Sequence, residues 1–118
     1  MPQTAQDLAR RHCTACHGGS PALTAEQVRE HLRAVPDWKL TGDGRLRREW
    51  RVKDFPVALD FFNRVGRIAE EEDHHPDLHL TGYRNVAVEL STHAVNGLTE
   101  NDFILAAKID QLPVELKT

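Results

Sequence analysis

The chain has 118 residues, 40% apolar and 28% charged, which suits one domain around one core and lies far from the compositions of disordered chains. Lys and Arg total 15 against 18 Asp and Glu, and the resulting formal charge of -3 excludes a broad electrostatic attraction to nucleic acid or anionic membrane. No apolar run approaches the roughly 18 residues that would span a bilayer, and Met1 to Arg11 is polar without a signal-peptide core, so a cytoplasmic protein is expected.

Residues 1–22 read as a flexible N-terminal extension with a cysteine pair, followed by a domain over residues 23–118. The segment Cys13-Thr14-Ala15-Cys16-His17 matches the pattern for covalent attachment of a c-type haem. Attachment would require export to an oxidising compartment, and Met1 is the only methionine, which leaves no distant axial Met. A coincidental match is therefore preferred. Zinc could recruit His12 and His17 beside the cysteines, but four candidates crowded into one short segment are poorly spaced for a closed tetrahedral site. A reversible disulfide or a weak metal site stays open.

Thr24-Ala25-Glu26-Gln27 has the capping-box form, and Val28, Leu32 and Val35 follow near helical spacing until Pro36, predicting a first helix. Trp38-Lys39-Leu40 and the alternating Leu46, Arg48, Trp50 and Val52 flank Thr41-Gly42-Asp43-Gly44, predicting an antiparallel hairpin. Asp54 can cap the next helix with Pro56 in its first turn. Ala58, Phe61, Phe62, Val65, Ile68 and Ala69 form its apolar stripe, which reads as core packing and not as a cofactor box.

That helix ends in Glu70-Glu71-Glu72-Asp73, which opposes the macrodipole unless cations lie nearby. Charged imidazoles of His74 and His75 could supply them. Glu71 and Glu72 read as a solvated face, whereas Glu70 and Asp73 are placed to join a site. Pro76 biases His75 toward extended angles, so the helix should stop near Asp73 and the two imidazoles should diverge, unsuited to chelating one metal together.

Leu78 and Leu80 lead through Thr81-Gly82 to Tyr83, and Val86, Val88 and Leu90 then alternate with Ala87, Glu89, Ser91 and His93. This predicts a strand with a core face and a second face carrying Ser91 and His93. A last helix begins at Thr99 and buries Phe103, Ile104 and Ala107 before Pro113; Asp102 by itself reads as a helix-start residue. Imidazole, with a reference pKa of roughly 6.5, both gives and takes protons near neutrality. His74, His75 and His93 thus point to a small acid–base enzyme.

Taken together, these residues resemble the pterin-4a-carbinolamine dehydratase family. Its signature is an acidic residue, three spacers, His-His-Pro, an aromatic about six residues on, a His after nine more and a later Asp. Glu70, His74, His75, Pro76, Tyr83, His93 and Asp102 fill it without departure, and the resemblance runs from about Leu23 to Leu112. The flanking segments Lys53-Asp54-Phe55, Leu90-Ser91-Thr92-His93 and Gly97-Leu98-Thr99 also fit, and the cysteine segment resembles an extension of bacterial members.

The resemblance implies an α+β fold, a four-stranded antiparallel sheet with three helices packed on one face, assembled as a homodimer or homotetramer. It implies loss of water from a 4a-hydroxytetrahydropterin to give quinonoid dihydropterin, in recycling of tetrahydrobiopterin beside an aromatic amino acid hydroxylase. No cofactor and no metal are implied. His74 and His93 would carry proton transfer, with His75 orienting the substrate or sharing the proton work. Asp73, Ser91 and Thr92 would line the pterin pocket with the histidines, Glu70 would orient or tune an imidazole, and Pro76, Tyr83 and Asp102 would support the site.

Two other classes compete. One is a metal or haem protein using His74, His75, His79 and His93 or the cysteine segment. The other is a non-catalytic interaction module, because animal relatives serve as dimerisation cofactors of a homeodomain transcription factor. Some relatives act on other pterins, including those of molybdenum cofactor metabolism.

Overall fold

A computed structural model of the chain describes residues 4–13 and 21–118. The elements follow the apolar patterning closely. Helix α1 spans Ala5–Arg10, α2 Ala25–Leu32, α3 Phe55–Glu72 and α4 Glu100–Asp110; the strands are β1 (Lys39–Leu40), β2 (Leu46–Arg51), β3 (Asp77–Thr81) and β4 (Asn85–Leu90). They form one antiparallel sheet in the order β1-β2-β4-β3, the α+β architecture expected.

Local chemistry sets the boundaries. Thr24 caps α2 through a reciprocal bond with Gln27, and Asp54 accepts from the Val57 N–H at 3.0 Å to start α3, with Pro56 in the first turn where its missing donor costs nothing. The β1–β2 reversal closes through Thr41 N–H to Arg45 C=O at 2.8 Å and needs Gly44, whose φ is +83°. Helix α2 stops three residues short of Val35, which is still buried, because the chain turns there toward Pro36.

Register decides the two sheet faces. Trp50 pairs with Val86, which pairs with Leu80, and Arg48, Val88 and Leu78 form the next row of the apolar face. Phe61 of α3 packs 4.9 Å from Trp50, ring to ring, and Trp38 meets Trp50 edge-on at 6.0 Å. Buried Val65 and Ala69 of α3 and Phe103, Ile104 and Ala107 of α4 complete this core. Asp110 of α4 ties the layers together, accepting from Trp38 Nε1 at 2.8 Å and from Arg48 at 2.5 Å. The opposite face carries Arg47, Glu49, His79 and Glu89 around the small Ala87.

Two expectations are corrected here. Ala5–Arg10, expected within a flexible extension, is a helix that Thr4 and Asp7 cap reciprocally and that packs on α4. Leu8 is fully buried and Lys108 Nζ donates to Ala9 C=O at 2.7 Å, so apolar burial and a charged hydrogen bond hold the segment. Glu72, expected in water, is also buried. It accepts from the Cys13 N–H at 2.6 Å, lies 2.9 Å from His12 Nδ1 and 3.8 Å from Lys108 Nζ. Burial pushes its carboxyl up, but these donors and cations outweigh burial and hold it below the usual glutamate range. The end of α3 is thus served by Lys108 of α4 and by hydrogen bonds from the N-terminal segment. The readings placed on Cys16 and His17 lie outside the described residues.

Candidate active site

The site forms where the end of α3, the end of β4 and the start of α4 meet. Asp73 ends α3 in the left-handed region at φ +50°, and the His74 N–H still donates to Ala69 C=O at 3.1 Å. The chain then turns through His75 and Pro76 into β3. The two imidazoles diverge as the proline predicts: His74 is buried, whereas His75 is exposed with Nε2 2.6 Å from Glu70 Oε2.

His74 points at the first turn of α4. Its Nε2 lies 2.6 Å from Asp102 Oδ1, and both side chains are buried. Asp102 Oδ2 accepts from the Thr99 N–H at 2.9 Å and from the Thr92 hydroxyl at 2.8 Å. The helix-start role read from Asp102 is therefore present, but only one carboxylate oxygen serves it. A carboxylate accepts and does not donate, so the hydrogen between Asp102 and His74 sits on Nε2.

The strand expected to reach His93 ends at Leu90. Thr92 N–H instead donates to Gly97 C=O at 2.8 Å, closing a short loop in which His93–Val95 form a turn of 3-10 helix and Asn96 takes φ +50°. The cause is loss of partners. β3 begins at Asp77, opposite Glu89, and β2 begins at Leu46, opposite Leu90, so no strand is left to pair with a continuing β4. His93 is consequently exposed on a turn.

These segments enclose a cleft of about 270 Å³ lined by Asp73, His74, His75, Pro76, Asp77, Ser91, Thr92, His93 and Ala94. All three histidines share it. Tyr83 does not: it sits at φ +55° in the hairpin that joins Thr81 to Asn85, the opposite end of β3 from Asp77, with Arg84 stacked 4.8 Å from its ring centre. His79 lies on the open sheet face, 3.6 Å from Glu89 and away from the other histidines. Among the described residues, no three His, Cys, Asp or Glu side chains are grouped to hold a metal ion.

The sequence profile described as "Pterin 4 alpha carbinolamine dehydratase" matches residues 21–112. The chain belongs to this family. Pterin-4a-carbinolamine dehydratases are hydro-lyases, and so is this member. It is 51% identical over 113 residues to "Pterin-4-alpha-carbinolamine dehydratase 2, mitochondrial" of Arabidopsis thaliana; the match takes in 92% of this chain but spans only 60% of the plant protein's length. A Rubrobacter xylanophilus protein named "Putative pterin-4-alpha-carbinolamine dehydratase" is 43% identical over 106 residues, covering 90% of this chain and 98% of that one. The crystal structure of a "transcriptional coactivator/pterin dehydratase" from Brucella melitensis superposes with a TM-score of 0.70 at 37% identity, over 75% of this chain and 95% of that one.

Set against this dehydratase family, one residue of the site escaped the sequence. Thr99 is fully buried and supplies its N–H to the carboxylate that holds His74. Its sequence signal was the cap itself, a Thr three residues before an Asp, which does not disclose that the Asp also faces an imidazole. Thr92 is likewise 3% exposed, with its hydroxyl committed to Asp102.

Proposed function

We propose that the chain dehydrates a 4a-hydroxytetrahydropterin by histidine general acid–base catalysis. The observation that carries this reading is the single cleft shared by His74, His75 and His93, with His74 backed by the buried Asp102. The bond from carbon 4a to its hydroxyl breaks as that oxygen gains a proton. The neighbouring nitrogen 5 gives up its hydrogen, and a carbon–nitrogen double bond forms. One proton is delivered and one withdrawn, so water and the quinonoid dihydropterin balance the carbinolamine without an oxidant.

The oxygen gains its proton and nitrogen 5 loses one at two atoms bonded to the same carbon, which calls for an acid and a base on one small substrate near neutral pH. His74 and His93 answer that need from separate segments. His75, exposed and paired with Glu70, orients the ring, and Asp73 and Ser91 complete the walls of the cleft. The same proposal places the enzyme in tetrahydrobiopterin recycling, beside an aromatic amino acid hydroxylase, as a cytoplasmic homodimer or homotetramer. Exposed Leu40, Phe55, Leu59 and Leu78 and the edge strand β3 support assembly. None of the described helices is long and apolar enough to cross a membrane. The description of the Brucella structure as a coactivator favours a second, interaction role on the same fold.

The deciding experiment follows carbinolamine dehydration by purified wild type, His74→Ala, His93→Ala and the double variant. Each single change should cost about 10²–10⁴-fold in rate while circular dichroism stays native. A double variant that turns over at the original rate would overturn the reading.

A further inference from the structure

Thr92 stands between the two halves of the cleft. Its hydroxyl donates to Asp102 Oδ2 at 2.8 Å, and its backbone N–H and C=O both bond Gly97, at 2.8 and 3.4 Å, closing the loop that carries His93. A hydroxyl has one hydrogen to give. Having given it to Asp102, Thr92 must accept from the Thr99 hydroxyl 2.9 Å away, and Thr99 accepts in turn from the Asn101 N–H at 3.2 Å. The hydrogens therefore run one way, from Asn101 through Thr99 and Thr92 to Asp102, and end on the carboxylate bonded to His74.

We propose that Thr92 is a positioning residue, which sets His74 and His93 in register with each other, and that Thr99 is the second member of its relay. This rests on the dehydratase reading above. Its side chain fixes the carboxylate behind one histidine and its backbone fixes the turn beneath the other. The resemblance makes Thr92 a wall of the pterin pocket, and Thr92 does line the cleft, but its buried hydroxyl is committed to Asp102. The distinction matters because the carbinolamine's leaving oxygen and its nitrogen 5 are bonded to one carbon, so an acid and a base that serve them need a fixed separation. A misplacement of about 1 Å can cost about 10²-fold in rate.

Thr92→Val removes the hydroxyl and keeps the shape, and Thr92→Ser keeps the hydroxyl. The expected result for Val is a kcat lower by about 10- to 100-fold with KM within about twofold, and an altered pH dependence of kcat; Ser should restore kcat to within about threefold. A Val variant with raised KM and unchanged kcat would make Thr92 a substrate contact, and wild-type values of both would remove any role. Should Val not fold, the unaltered protein still decides: the Thr92 hydroxyl hydrogen should give an NMR resonance protected from solvent exchange, and rapid exchange would sink the relay. Loss of activity in the histidine variants alongside a normal Val variant defeats only this inference. Histidine variants that remain active defeat the dehydratase mechanism beneath it.

Discussion

His74 Nε2 and Asp102 Oδ1 approach to 2.6 Å inside the protein although 28 positions separate them in the chain. Asp102 simultaneously caps α4 through the Thr99 N–H, so one carboxylate joins the helix start to the buried His74 imidazole. Asp102→Asn keeps the size but puts an N–H₂ where an acceptor is needed. It should cost about 1–3 kcal/mol in urea unfolding and about 10²-fold in dehydration rate. A variant with native stability and native rate would refute the coupling.

His93 is exposed on its turn and absent from the core, so its removal tests the proposed proton transfer apart from folding. His93→Ala should change stability by no more than about 0.5 kcal/mol. Its dehydration rate should nevertheless fall by about 10²–10⁴-fold. Thermal unfolding and the rate assay on the same sample check both halves; a rate that falls only in step with lost folded protein contradicts the prediction.

Glu72 gives the acid limb of stability a definite sign. Its carboxyl is held below the ordinary glutamate value of 4.5, so its contribution is fully present above that value and is lost as pH falls through the lower folded value. Glu72→Gln should lower stability near neutrality by about 1–2 kcal/mol and flatten the decline as pH falls below the ordinary glutamate range. Urea titrations across that range test it. An equally steep decline in the Gln variant would assign acid sensitivity to other groups.

Tyr83 fills an aromatic position of the family signature yet lies at the hairpin end of β3, remote from the cleft within one subunit. Tyr83→Asn suits the left-handed backbone at φ +55°, since Asn tolerates that region better than most residues. Dehydration by the folded variant should stay within about twofold of wild type if the chemistry needs one subunit's cleft alone. A large loss of rate with native stability would show that Tyr83 reaches a site across a subunit contact.

Periodicity, caps and turn residues in the sequence determined the elements. The stripe from Ala58 to Ala69, the caps at Thr24, Asp54 and Thr99 and the reversal at Gly44 are local signals, each acting within a few residues, and all appear in the fold. The spacing from Glu70 to Asp102 also singled out three histidines that line one cleft. Only the tertiary structure decided which partner each group received. It ended β4 at Leu90 because no strand remained to pair, turned Glu72 inward because His12, the Cys13 N–H and Lys108 met it there, and joined His74, Asp102, Thr92 and Thr99 into one network. The physical reason is that a hydrogen bond between distant segments depends on burial and direction, and neither is encoded in the spacing of residues along a single helix or strand.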